Sequence, residues 1–188
     1  TKYLLSLIIP KVIKALQGSR FMKWSYGNFK FSRPIRWIIS LYNEDILEFS
    51  LDNIEPKINF DKISRGHRLI NNEILINHPD NYLDLLESSG VLANRTKRKK
   101  IINDLINNSA QDLKLYPDLS DQLLNEITDL VESPNLLVGN FDSKYLSLPT
   151  EVLCTVMKNH QRYIPLFKIN KKFNILDLDS KETLSTKF

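Results

Sequence analysis

The chain is poor in the residues on which covalent cross-linking and much active-site chemistry depend: one cysteine, three histidines and five glycines in 188 residues. A lone thiol, Cys154, can form neither an internal disulfide nor a multi-cysteine zinc site. Sparse cysteine also fits a reducing compartment. Cys154 and His160 are six positions apart, which does not bring them to one helix face, so no metal site is indicated. There is no glycine-rich phosphate loop, no G-x-S-x-G elbow and no H-E-x-x-H pair. No catalytic residue is nominated, and nothing resembles an ATP site. Long apolar runs are missing as well. Residues 4–9 are too few to span a bilayer and have neither a basic leader nor a small-residue cleavage site, so a cytoplasmic location is expected. Charge of one sign does not dominate: 26 Lys and Arg against 22 Asp and Glu leave +4, too mild by itself to require a polyanionic partner. A hydrophobic content of 42 % is enough to build a core, which excludes wholesale disorder.

What is present is a mixture of two periodicities. Leu4, Leu5, Ile8, Val12, Ile13 and Leu16 recur at helical spacing, with Pro10 starting or kinking the helix and Gly18 stopping it. An apolar stripe of this kind must be buried somewhere. Ile35, Trp37, Ile39 and Leu41 alternate as in a strand, Asn43-Glu44-Asp45 makes a turn, and 46–51 returns, which predicts a β-hairpin. A third strand is expected at 74–76. The period then becomes helical: Pro79 opens a helix ended by Gly90, and a second begins near Asn94 and buries Ile101, Ile102, Leu105, Ile106 and Ala110. A third, capped by Asp118 or Ser120, carries Leu123, Leu124, Ile127, Leu130 and Val131 and closes at Ser133-Pro134. Leu136, Leu137 and Val138 predict a short buried strand, and a helix after Pro149 should turn Val152, Leu153 and Val156 inward. A strand at 163–169, a turn at Asn170-Lys171-Lys172 and a pairing segment at 173–176 follow.

The fold class expected is therefore α/β or α+β, a mixed sheet with packed helices. The domain reading is an amphipathic helix over 1–20, a module over 21–176, and a divergent or truncated tail over 177–188. Because Thr1 opens inside a helical pattern and the residues from Asp177 lose theirs, both ends read as cut.

Three groups of residues are candidates for binding a nucleic acid. Arg65-Gly66-His67-Arg68 is a compact cationic turn, and guanidinium groups grip phosphate with paired hydrogen bonds. The alternative is a solvated loop. Arg95, Lys97, Arg98, Lys99 and Lys100 crowd the start of a predicted helix, the end whose dipole favours anions. Five cations there oppose the helix unless an anion or a partner's acidic face offsets them, and nucleic-acid backbone is the natural candidate; the alternative is a solvated face. Lys158, His160 and Arg162 sit at a helix C-terminus, where the dipole alone explains cations. Glu126 and Asp129, with Asp121 and Glu132 nearby, read as an acidic solvent face. Trp24, Tyr26, Phe29, Phe31 and Trp37 interleave with Lys23, Lys30, Arg33 and Arg36; that mixture can stack bases, but aromatics near a hairpin more often build the core.

The order of these segments resembles one family. Met22-Lys23-Trp24 and Phe31-Ser32-Arg33-Pro34-Ile35-Arg36-Trp37 are similar to the "M-R-W … F-x-R-P-x-x-W" stretch of bacterial glycyl-tRNA synthetase β subunits. Arg65-Gly66-His67-Arg68 matches its "R-G-H-R". Leu130-Val131-Glu132-Ser133-Pro134, Gly139-Asn140-Phe141, Leu148-Pro149-Thr150-Glu151-Val152-Leu153 and Met157-Lys158-Asn159-His160-Gln161-Arg162-Tyr163 resemble later pieces in order. The turn at 170–172 lacks the family's usual glycine, and the continuation after Leu176 is missing.

The resemblance implies one early portion of a β subunit, similar to the editing-type module of the phenylalanyl-tRNA synthetase β chain. It implies an α subunit as partner, glycine tRNA as the nucleic acid, and ATP and magnesium held on the α subunit, with no cofactor in this portion. A hydrolytic sieve admits amino acids smaller than the correct one, and glycine has none smaller. The module is therefore expected to serve tRNA docking or subunit packing. A stand-alone RNA-binding module and a hydrolase of mischarged tRNA are the competing readings.

Overall fold

The computed structural model describes residues 1–23, 29–51, 57–70, 73–170 and 175–187. The chain divides into two compact units, Thr1–Ser89 and Gly90–Phe188.

The first unit opens with helix α1, Lys2–Ala15, which contains Pro10 and ends before Gly18. None of its residues is buried; Leu4, Ile8 and Val12 are more than half exposed, so nothing described in this unit covers the stripe. At its start Lys2 pairs with Asp45 and lies over the Tyr42 ring. The short strands β1, Met22–Lys23, and β2, Lys30–Phe31, pair antiparallel. Phe31 packs against Phe21 and Phe29 with ring centroids 5.1 and 6.1 Å apart. Gly18 makes room for this cluster, since a Cβ there would come within 2.4 Å of the Phe21 ring.

The predicted hairpin survives only near its tip. Strand β3 is Trp37–Ile38, β4 is Leu41–Tyr42 and β5 is Asp45–Ile46. β4 and β5 pair around Asn43, whose φ of 55° gives the tight left-handed turn, and one further bond joins the Leu47 amide to the Ser40 carbonyl. β3 pairs instead, in parallel, with β6, Asn59–Phe60. Strand β7, Ile63–Ser64, pairs with β8, Ile74–Leu75. The expected third strand is thus present, with Ile74 and Ile76 buried and Leu75 between them exposed, as the two-residue period requires. A 3₁₀ turn, Pro79–Asn81, capped by the His78 side chain, leads into α2, Tyr82–Ser88. Gly90, at φ 81°, follows the helix as predicted.

The second unit carries the larger core. Helix α3, Arg95–Leu113, begins at Asn94, whose side chain accepts from the Lys97 amide at 3.0 Å. β9 is Tyr116–Pro117. Helix α4, Asp121–Leu130, is capped by Ser120, deciding between the two caps the sequence offered. Strand β10, Asn135–Gly139, follows, then a 3₁₀ turn at Ser143–Ser147 and helix α5, Thr150–Thr155, which widens into a single π turn, Val156–His160. Strands β11, Tyr163–Asn170, and β12, Ile175–Lys187, complete an antiparallel sheet of order β10-β12-β11-β9. Asn170 and Ile175 are paired, so the expected return of 173–176 is present from Ile175 onward; residues 171–172 of the predicted turn and 173–174 of the return lie outside the described residues. β12 covers most of 177–188, where the sequence shows no apolar pattern.

Ile102, Ile106 and Ala110 of α3 meet Leu123, Leu124 and Ile127 of α4, and Ile164 and Leu166 of β11 close the cluster. Three expectations about burial are corrected. Leu130 is 53 % exposed because the buried stripe of α4 continues through Val131 and leaves Leu130 on the other side. Leu137 and Val138 are exposed, since only Leu136 of β10 packs against the core. On α5 and the π turn after it Cys154 and Met157 are buried and Leu153 is half-buried as expected, while Val152 and Val156 face out. With antiparallel pairing throughout this sheet and helices packed against it, the architecture is mixed α and β, of the α+β kind.

Candidate nucleic-acid interface

The cationic candidates separate into those whose charge this chain already answers and those it leaves open. At the start of α3, Arg95 makes a forked pair with Asp129, Nε at 2.7 Å and Nη2 at 2.9 Å, and a longer bond to Asn125. The Arg95 hydrogen bond holds the Asp129 carboxyl below its ordinary value. Arg98, half-buried, donates from Nε to the Thr128 carbonyl at 2.9 Å and from Nη1 to the carbonyls of Leu92 and Ala93. Thr128 lies in the last turn of α4, whose carbonyls have no partner inside the helix. For Arg95 and Arg98 the oddity of cations at a helix N-terminus is thereby resolved within the chain. Arg95 and Arg98 sit at the C-terminal end of α4, where its dipole favours positive charge and where Asp129 lies. Asp129 and Glu126 are therefore acceptors for arginine, not the plain acidic solvent face the sequence suggested. Lys97 and Lys100 are exposed and Lys99 is half-buried.

The C-terminal group is similarly engaged. Lys158 pairs with Asp118 at 2.7 Å, Arg162 pairs with Glu126 at 2.7 Å, and the Arg162 guanidinium also donates to the carbonyls of Lys158 and Asn159. Arg162 has φ 58°, so the chain turns out of the π turn with its own side chain capping the open carbonyls. His160 is exposed beside it. Next to this network lies Cys154, whose thiol is pushed above its ordinary value of 9.0 first by burial and then by Asp118, with Lys158 opposing. Alkylation by iodoacetamide at neutral pH should be slow in the folded protein and rapid after unfolding, as timed by mass spectrometry, because the thiolate is the reactive species. The raised value also gives a sign. Stability from keeping the thiol protonated is complete below the unfolded pKa and is lost as pH rises through the folded one, so its loss belongs above about pH 9.

The turn Arg65-Gly66-His67-Arg68 is different. Its backbone is held by the His67 amide donating to the Ser89 carbonyl at 2.8 Å, and the His67 Nδ1 accepts from the Leu69 amide at 3.4 Å. Gly66 has no positive φ; Gly90 is the only described glycine that does. Arg65 and Arg68 are exposed, and Arg65 lies over the Trp37 ring at 5.1 Å from its centroid. Among the described residues no carboxylate pairs with Arg65, Arg68, Arg33 or Arg36. Trp37 is 40 % exposed, so it does not belong to the core with Phe29 and Phe31, to which the interleaved pattern assigned it. Trp24 and Tyr26 of that pattern lie outside the described residues. Sequence reasoning thus passed over Trp37 as a surface residue. The signal was Arg33, Pro34 and Arg36 immediately before it, residues that seldom occupy a buried strand.

A family model described as glycyl-tRNA synthetase beta subunit matches residues 1–184. The chain is 41 % identical over 179 residues to the glycine–tRNA ligase beta subunit of Trichodesmium erythraeum, covering 95 % of this chain and 25 % of that protein. It is 41 % identical over 160 residues to that of Acaryochloris marina, with 85 % and 22 % covered, and 38 % identical over 167 residues to that of Halothermothrix orenii, with 88 % and 24 % covered. The chain spans about a quarter of the length of these relatives. From its first residue to residue 184 it belongs to the glycyl-tRNA synthetase beta subunit family.

Proposed function

We propose that this chain is a tRNA-docking and assembly portion of a glycine–tRNA ligase β subunit, acting with a separate α subunit in a cytoplasmic hetero-oligomer. In that arrangement the α subunit holds ATP and magnesium and joins glycine to its tRNA, and this portion contributes no catalytic group. Its architecture is proposed to be of the editing type found in the phenylalanyl-tRNA synthetase β chain, used here without hydrolysis. Membership of the family over residues 1–184 carries the reading.

The open guanidinium groups support holding RNA at the turn 65–68. Arg65 and Arg68 project from a turn fixed by a backbone bond and have no carboxylate partner among the described residues, so a phosphate gains their full charge. Lys99, Lys100 and His160 stand as secondary phosphate contacts. Arg95, Arg98, Lys158 and Arg162 would have to abandon acceptors in this chain to join them, which ranks them last.

Arg65→Ala with Arg68→Ala in the assembled enzyme should lower affinity for glycine tRNA several-fold and reduce the steepness of its salt dependence by roughly one to two phosphate contacts. Anisotropy across a salt series measures both. Unchanged affinity and slope in a folded enzyme would remove this turn from the tRNA grip. Hydrolysis of mischarged alanyl-tRNA by this portion would overturn its non-hydrolytic role.

A further inference from the structure

We infer that Trp37, with Arg65 stacked on it and Arg33 and Arg36 beside it, is a stacking site for an unpaired RNA base. The inference rests on the docking role proposed above and names the feature of RNA that this surface takes.

Four observations in the Thr1–Ser89 unit converge on it. Trp37 lies in β3, yet keeps 40 % of its surface in solvent with the Arg65 guanidinium already over its ring at 5.1 Å. A large aromatic left at the surface forgoes the burial that aromatics normally contribute to a core, and exposed tryptophan beside arginine is the composition of binding hot spots. Trp37 lines two recesses. One, of about 470 Å³, is lined by Trp37, Ile39, Ser64, Ile76 and Tyr82, so an apolar floor carries two hydroxyl-bearing side chains. The other, of about 600 Å³, is lined by Arg33, Pro34, Ile35, Arg36 and Trp37. Finally, Arg33, Arg36 and Arg65 have no carboxylate partner among the described residues, in contrast to Arg95 and Arg162, which the chain neutralises itself.

These features select the occupant. A duplex presents phosphates but hides the faces of its bases, so it would use the arginines and leave Trp37 idle. An unpaired nucleotide uses both: its base extends the Trp37–Arg65 stack, and the neighbouring phosphates meet Arg33 and Arg36. The Ser64 and Tyr82 hydroxyls offer hydrogen bonds to the edge of a base entering the first recess. An acidic protein surface would satisfy the arginines without needing the ring.

The test uses the full-length β subunit in its assembled enzyme. The probes are a fluorescein-labelled 12-nucleotide oligoadenylate, a 12-base-pair RNA duplex of mixed sequence, and glycine tRNA. Trp37→Ala should weaken oligoadenylate binding about 5-fold or more, Trp37→Phe should keep most of the affinity because it keeps an aromatic face, and duplex binding should not change. Three results overturn the inference. The wild type fails to bind oligoadenylate; Trp37→Ala weakens single strand and duplex equally; or Trp37→Ala splits the subunits with RNA binding intact, making the surface a protein contact. Absence of tRNA binding by the wild type would instead sink the docking role itself. Normal tRNA binding with a neutral Trp37→Ala sinks only the stacking site. Thermal melting of each variant confirms that a loss of binding is not a loss of fold.

Discussion

Replacing Ile106 by alanine should lower the unfolding free energy of the Gly90–Phe188 unit by about 2–5 kcal/mol. Ile106 is fully buried, in a cluster shared by α3, α4 and β11. The loss has two parts: the transfer free energy of the deleted methylene and methyl groups, and the cavity they leave. Three elements fix the walls of that cavity, so it can collapse only partly. Urea titration followed by circular dichroism measures the effect. The contrast within the same core region is Leu130→Ala, expected to change stability by less than about 0.5 kcal/mol because Leu130 faces solvent. Equal losses at the two positions would contradict the way α4 is turned against the sheet.

Arg98→Ala is expected to cost about 2 kcal/mol, and the reason is not its charge as such. The side chain satisfies three carbonyls, those of Thr128, Leu92 and Ala93, at the point where the entry to α3 meets the exit of α4. Hydrogen bonds from charged donors are worth more than neutral ones, and part-buried carbonyls left without a donor bear a desolvation penalty. Lys at this position should recover little, since one ammonium cannot reproduce the guanidinium fork. Arg95→Ala should cost less than Arg98→Ala, because its pair with Asp129 is solvent-exposed and screened. Thermal melts of the three variants at one pH above 5, where Asp129 is ionised, order them. If Arg98→Ala proves neutral while RNA affinity falls, Arg98 belongs to the RNA grip after all.

These two predictions show why a charge run is hard to read from sequence. The five cations at 95–100 were recognisable as anomalous, but the acidic face expected to offset them was a partner's. The acidic face, however, belongs to α4, some 30 positions further on, and only the antiparallel packing of α3 against α4 brings Asp129 and the Thr128 carbonyl to Arg95 and Arg98. Likewise Glu126 and Asp129 looked like a solvent face because helical spacing reports which residues share a side. It does not report what stands opposite.

Local chemistry was legible because it is local. Asn94 and Ser120 have the short polar side chains that cap helices, Gly90 has the freedom to leave one, and the apolar run Ile74-Leu75-Ile76 reads as a short strand, though which of its residues are buried does not show in the run. The ordered motifs from Met22 to Tyr163 likewise carried the family, which the match over residues 1–184 bears out. Tertiary structure alone decided three other matters. It set the partner of β3, which pairs in parallel with β6 and not within the hairpin, because register depends on side chains distant in sequence. It set which face of α5 is inward, since a six-residue helix running into a π turn shifts the period by which faces are counted. And it sorted the arginines, because whether a guanidinium is open to a phosphate depends on where the chain's own carboxylates and free carbonyls come to lie, which no spacing along the sequence records.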